Sequence, residues 1–211
     1  MPRIADQSIS AFLADLASAE PTPGGGTAAA VAGSIAVALL MMVAGLPKTR
    51  GNTDTERVQL TEARAALTSI RDRLLTLADQ DADAYNRVVT AYRLPKTSDD
   101  EKAARKQAIA EGMRAATETP LDTLRTGAEA AAHARVVAQY GNPSAASDVR
   151  VALELLEAAA TGAGANIEAN LGGLNDDAFR KTAASAVIDL SNQITEQIAA
   201  ARAALNAPLV H

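Results

Sequence analysis

From Thr27 to Leu46 the chain carries no charged residue for about 20 positions, long enough on length alone to cross a membrane. The segment is mostly alanine, glycine and valine, weakly hydrophobic by insertion criteria, and has neither an aromatic belt nor a basic flank bias. It therefore reads as a core helix and not as a span. Ala29, Gly33 and Ala36 let neighbours come very close, and a helix apolar on all sides belongs at the centre of a bundle or at a subunit contact. About a quarter of the chain is alanine, aromatics are 2%, and β-branched runs are few, so the remainder should be helical as well. The expected fold is all-α: an antiparallel helical bundle with a central apolar helix and long flanking helices, a single domain over residues 1–211.

Helix signals punctuate the rest. A short helix is expected from Ile9 to Ala17, and the apolar one starts at Thr27, whose hydroxyl suits a cap. After the break Pro47-Lys48-Thr49-Arg50-Gly51-Asn52, Thr53 and Glu56 form a capping box that opens an unusually long helix to about Tyr92. Ser98 and Glu101 form a second box, and the helix behind it should kink or restart at Pro120 before reaching Tyr140. Gly141-Asn142-Pro143 is a stop. Further helices are expected from Ser144 to Leu171 and, capped by Asn175, from Asp176 to Asn206.

Between the first two helices stands Pro21-Thr22-Pro23-Gly24-Gly25-Gly26, a stiff approach followed by glycines that admit close contacts closed to residues with a Cβ. The free N–H groups of these glycines and of the helix start suit an anion or a polar ligand edge; the alternative is a connector shaped only by packing.

Two carboxylates fall where apolar residues belong. Leu60, Ala63, Leu67, Ile70, Leu74 and Leu77 alternate three and four apart, the spacing of a packed helix seam, and the register continues through Asp81, Ala84, Val88 and Ala91. A carboxylate in such a seam costs several kcal/mol unless it is paired or hydrogen-bonded. In the helix after Asn142, the polar face Arg150, Glu154, Glu157, Thr161 and Glu168 implies an opposite face of Asp148, Ala152, Leu155, Ala159, Gly162, Asn166 and Ala169, with Asn170 one turn beyond Asn166. The inward polar groups define a pocket within the bundle, in which Asp81 and Asp148 share one hydrated space. Structural alternatives stand beside this: Asp148 as a charge in a helix first turn, Asp81 paired with a cation, and the asparagines bonded between helices.

Other chemistries are excluded. No Glu-x-x-His pair exists, His133 lies among alanines and His211 is the final residue, so no metal is expected. The serines near glycine lack a histidine partner for a triad. A net charge of −5 and the lack of a Lys/Arg stripe with aromatics argue against nucleic acid. With no cysteine and a start, Met1-Pro2-Arg3-Ile4-Ala5-Asp6, unlike a signal peptide, a cytoplasmic location is expected.

Pro21 to Gly26 with its Ala-rich helix, Asp81-Ala82-Asp83-Ala84-Tyr85-Asn86, Ala91-Tyr92-Arg93-Leu94-Pro95-Lys96, Gly141-Asn142, Ser147-Asp148 and Asn166 to Asn170 occur in that order. In this set, from about Ser8 to Phe179, the chain resembles the cyclodeaminase/cyclohydrolase family of folate one-carbon enzymes. The resemblance implies an all-helical dimer that either hydrolyses 5,10-methenyltetrahydrofolate to 10-formyltetrahydrofolate or converts 5-formiminotetrahydrofolate to the methenyl compound with loss of ammonia, with no cofactor beyond the folate itself. The family commonly has a glycine, a basic run and a tyrosine after the central helix, where this chain has Leu46 to Asn52, and often Ala-Gly after Ser147-Asp148, where it has Val149-Arg150. These departures bear on substrate preference.

On that resemblance Asp148 is expected to transfer the proton and Asp81 to be the second carboxylate, with Asn142, Asn166 and Asn170 orienting substrate or water. Pro23 and Gly24 to Gly26 would meet the pterin or a carboxylate of the substrate, Lys48, Arg50, Arg93 and Lys96 would meet the glutamate tail, and Tyr92 would lie against a substrate ring or pack in the core or an interface. Hydrolysis is favoured over deamination because the chain supplies no separate formimino-transfer domain, and a two-fold homodimer with the pocket near its contact is expected. A non-catalytic helical binding protein is the alternative of another class.

Overall fold

The computed structural model describes residues 3–208, and His211 lies outside them. Among the described residues there are six α-helices and two short 3-10 turns and no strand. The helices are α1 (Ile9–Leu16), α2 (Gly25–Ala44), α3 (Asp54–Arg93), α4 (Asp99–Tyr140), α5 (Ala146–Leu171) and α6 (Asp177–Asn206). The apolar α2 packs along α3 and α5, while α4 closes the bundle against α3, α5 and α6. Both capping boxes form, Thr53 with Glu56 and Ser98 with Glu101.

The seam of α3 is packed as its spacing requires: Leu60, Ala63, Leu67, Ile70, Leu74 and Leu77 are all buried. Leu40, Leu67, Leu74, Leu124 and Leu153 are fully enclosed, each worth roughly 1.5–3 kcal/mol of burial. Small residues set the distance between α2 and α5. A Cβ placed on Gly162 would stand 3.1 Å from the Ala29 Cβ, so the two backbones approach as closely as alanine and glycine permit.

Three local expectations are corrected. Gly24, not Thr27, is the N-cap of α2, and Thr27 is buried in the first turn with its hydroxyl spent on another helix. Asp176, not Asn175, caps α6 by accepting from the Phe179 N–H. At Pro120 α4 runs on unbroken. Proline has no N–H for the carbonyl four residues back, but that carbonyl, on Ala116, accepts from the Asn170 side chain at 2.8 Å. The helix survives its proline because α5 supplies the missing donor.

Two apolar surfaces have no cover among the described residues. Helix α1 has no buried residue, with Ile9 78% and Leu13 55% exposed. Along α2, Ile35, Ala38 and Met42 are exposed and Ala28 and Ala32 half-buried, a wholly apolar stripe at helical spacing.

Candidate active site

Asp81 meets the start of α2. Continuing the α3 seam, it points at the N-terminal turn of α2, where the Thr27 hydroxyl donates to Oδ2 at 2.9 Å and the Thr27 backbone N–H donates to the same carboxylate. Asp81 thus caps a helix to which it does not belong, and the dipole of α2 favours its charge. Gly26 makes the fit possible: a Cβ there would fall 2.6 Å from the Asp81 Cγ and 2.7 Å from Oδ2, and closer still to Oδ1. Only a residue without a side chain lets the carboxylate lie against the helix start.

A cleft of about 280 Å³ opens in front of this group, lined by Gly24, Gly25, Gly26, Asp81, Asn166 and Asn170. Pro21, Thr22, Tyr85, Val88, Met113 and Ala116 complete its wall. Both asparagines are held by their amide nitrogens, Asn166 to the Gly162 carbonyl and Asn170 to that of Ala116, each at 2.8 Å. Each is thereby fixed with its amide oxygen left free of that bond, an acceptor for water or a substrate N–H. Pro23 is buried behind the loop and its bond to Thr22 is cis.

Burial raises the Asp81 pKa, and the hydrogen bonds from Thr27 oppose that rise. A carboxylate moved up in this way exchanges protons nearer to neutral pH than an exposed one, which suits a general base or acid. The same shift has a stability consequence. Between the ordinary aspartate pKa and the raised folded value, the folded chain binds more protons than the unfolded chain, so stability falls as pH rises through that window. Asp81→Asn keeps an oxygen to accept from Thr27 and removes the buried charge. It should melt no lower than the wild type at pH 8 and lose its relative advantage as pH falls toward 4, a trend that paired thermal melts at the two pH values would check.

Asp148 does not join this cleft. It sits half-buried in the first turn of α5, and 18 residues of helix separate it from Asn166, about 27 Å at the ordinary rise. The buried face of α5 is Val149, Ala152, Leu153, Leu156, Ala159, Ala163 and Ile167, one step around from the expected one. Lys48, Arg50 and Asn142 share the Asp148 end: the Arg50 N–H donates to the Tyr140 carbonyl, its guanidinium to that of Ala207, and Asn142 accepts from the Ser144 N–H. That end lies past the C-terminus of α2, whose 20 residues put it about 30 Å from Gly25. Tyr92 and Arg93 are exposed at the end of α3, and the Arg105 guanidinium covers the Tyr92 ring at 5.5 Å. The aromatic residue at the cleft is Tyr85, one turn from Asp81, a position the spacing i, i+4 would have indicated. Lys96 stands in a separate basic groove. Among the described residues no group of three or more potential ligands converges on a metal site.

The family profile for formiminotransferase-cyclodeaminase matches residues 8–188. The chain belongs to this family. A methenyltetrahydrofolate cyclohydrolase from Methylorubrum extorquens is 37% identical over 174 residues, covering 82% of this chain and 84% of that protein. The formimidoyltransferase-cyclodeaminase of Rattus norvegicus is 30% identical over 202 residues, which are 96% of this chain but only 37% of the rat protein. Among solved structures, the formiminotetrahydrofolate cyclodeaminase of Thermotoga maritima superposes with a TM-score of 0.85 at 26% identity, covering 96% of this chain and 97% of that one. As a formiminotransferase-cyclodeaminase family member, the protein is an enzyme of folate one-carbon metabolism with an all-α fold. The segments that form the Asp81 cleft, from Pro21 to Asn170, all lie inside the matched span.

Proposed function

We propose that the protein is a methenyltetrahydrofolate cyclohydrolase, with Asp81 as the group that moves the proton. The observation that carries this reading is that a relative 37% identical over most of both chains is a cyclohydrolase, and that this chain holds one fixed carboxylate in a cleft. Water adds to the carbon held between N5 and N10, a cationic amidinium centre that the Asp81 charge favours. One proton of that water passes to Asp81. Collapse of the tetrahedral carbon to a formyl group releases the second, and N5 takes a proton back from Asp81 as its bond to carbon breaks, so one proton is released overall. Asn166 and Asn170 hold the water and the pterin edge, and the N–H groups of Gly24 to Gly26 face the ligand.

The second reading is favoured by the fold match to a cyclodeaminase. In it Asp81 takes the proton from N10 as that nitrogen attacks the carbon of the protonated formimino group, then returns it to the amino nitrogen, which leaves as ammonia. Mixing the protein with 5,10-methenyltetrahydrofolate and, separately, with 5-formiminotetrahydrofolate while following the methenyl absorbance decides between them. Loss of absorbance is the expected result; gain from the formimino substrate would replace hydrolysis by deamination, and no change with either would overturn both.

The reading includes a homodimer working in the cytosol, where folates and reduced, cysteine-free proteins are both at home. The open stripe of α2 supports the dimer. A two-fold axis beside Ile35, near the midpoint of α2, would bury the stripe against its copy and set the two helices antiparallel. The Gly25 end of one subunit would then face the Gly45 end of the other, bringing Lys48, Asn142 and Asp148 of one chain toward the Asp81 cleft of its partner.

A further inference from the structure

Seven threonines are buried among the described residues, and six of them have their hydroxyls committed. Thr117, Thr119, Thr123 and Thr126 donate to the carbonyl four residues back in α4, Thr27 donates to Asp81, and Thr49 donates to Glu56. The seventh is Thr22, 5% exposed, whose hydroxyl has no hydrogen-bond partner among the described residues. Buried polar groups are nearly always bonded, so an exception calls for a ligand or an ordered water. The fully enclosed side-chain atoms left without a partner are Gln7 Oε1 and Arg50 Nε, so the Thr22 oxygen is not sealed in the core. It opens onto the Asp81 cleft, which Thr22 lines. Ser34, also buried and unbonded, lines no part of that cleft.

Two further donors line the same space. The N–H groups of Gly25 and Gly26 belong to the first turn of α2, where no helical carbonyl receives them, and neither is bonded among the described residues, whereas the Thr27 N–H is taken by Asp81. The cleft therefore divides by chemistry. Asp81 and the amide oxygens of Asn166 and Asn170 accept, while Thr22, Gly25 and Gly26 donate. Pro21 and Pro23 flank Thr22 and restrict the backbone that carries it, so its hydroxyl is held in place before a ligand arrives.

We infer that the Thr22 hydroxyl, with the N–H groups of Gly25 and Gly26, forms a pocket for the one-carbon oxygen, the atom that enters as water and leaves as the formyl oxygen. The inference rests on the hydrolase reading above and gives Thr22 a place in it. When water adds to the methenyl carbon, the new C–O bond forms and one proton of the water passes to Asp81. As the bond from carbon to N5 then breaks, the remaining hydroxyl proton goes to solvent, N5 takes the proton from Asp81, and the oxygen becomes a carbonyl. Negative charge gathers on that oxygen as its proton departs, and three fixed donors together with the α2 dipole favour it there. The methenyl substrate carries no oxygen on this carbon, so the Thr22 hydroxyl adds nothing to substrate binding and acts on turnover.

Thr22→Val keeps the shape of the side chain and removes the hydroxyl. It should lower kcat for hydrolysis of 5,10-methenyltetrahydrofolate by about 10- to 100-fold, with KM within about twofold of the wild type. It should melt no lower than the wild type, because an unbonded hydroxyl has left the interior. Thr22→Ser should bring kcat back to within about threefold of the wild type. A merely structural role would instead lower the melting point and move KM together with kcat. An unchanged kcat in Thr22→Val, or a loss that serine does not rescue, overturns the inference. Calorimetry with 10-formylfolic acid and folic acid, which differ by the formyl group alone, reads the pocket without turnover. Thr22→Val should weaken the formyl compound by about fivefold and leave folic acid unchanged. That pattern upholds the pocket even where neither folate substrate is turned over, and equal losses on both ligands, or none, reject it even where hydrolysis is found.

Discussion

Gly26→Ala should lower kcat by about two orders of magnitude without unfolding the protein. Alanine is the better helix former, and Gly26 lies in the first turn of α2 with an ordinary negative φ, so the backbone itself has no objection to the change. The obstacle is Asp81. A methyl group at Gly26 would overlap both carboxylate oxygens, and they cannot retreat without giving up the Thr27 hydroxyl that fixes them. A displacement on the order of 1 Å is enough to spoil a proton transfer, which is why a methyl group that touches no substrate should act like a catalytic lesion. Asp81→Asn, which removes the group outright, should cost about 10²–10⁴. Gly172→Ala is the matched control, since a Cβ there meets nothing within 4 Å. If Gly26→Ala turns over near the wild-type rate while its helical circular dichroism and melting point are unchanged, Asp81 is not the proton-transfer group.

Asp81 was legible because it interrupts a pattern. Six apolar residues of α3 predict the seam, the structure buries all six, and the seventh position of that register is a carboxylate. The capping boxes are legible for a similar reason, each being a local signature whose partners lie three residues apart. Asn170 was legible as an inward polar residue, though its bond to the carbonyl that Pro120 leaves unpaired joins residues 54 apart in sequence and no local rule connects them.

Asp148 shows where the reasoning stops. Periodicity assigns a residue to a face of a helix but says nothing about its height, and α5 is long enough for one face to serve both ends of the bundle. Asp148 and Asn166 can share a side and still stand about 27 Å apart. The basic groove was missed for a related reason. Lys96 was visible beside a proline stop, but its meeting with Lys102, Arg105 and Lys106 depends on how the turn between α3 and α4 folds the chain back on itself.

The distance between the two aspartates has a decisive test if two chains build each site. Asp81→Asn and Asp148→Asn should each inactivate the homodimer, yet a heterodimer of the two variant chains, isolated through different tags, should recover about half of the wild-type activity. The reason is counting: one of its sites receives both lesions, and the other receives an intact Asp81 from one chain and an intact Asp148 from the partner. The reciprocal arrangement fixes the sign. A chain carrying both substitutions, paired with a wild-type chain, should leave each shared site with one lesion and so be inactive, whereas sites built within single chains would make that pair half active and the first pair dead. Introducing a charge at the middle of the stripe, Ile35→Glu, should abolish the dimer in light scattering and the activity with it, because the open face of α2 carries nothing to pair with that charge. A monomeric wild type, or an Asp148→Asn homodimer that retains its rate, would return Asp148 to the modest role of a negative charge at the start of α5.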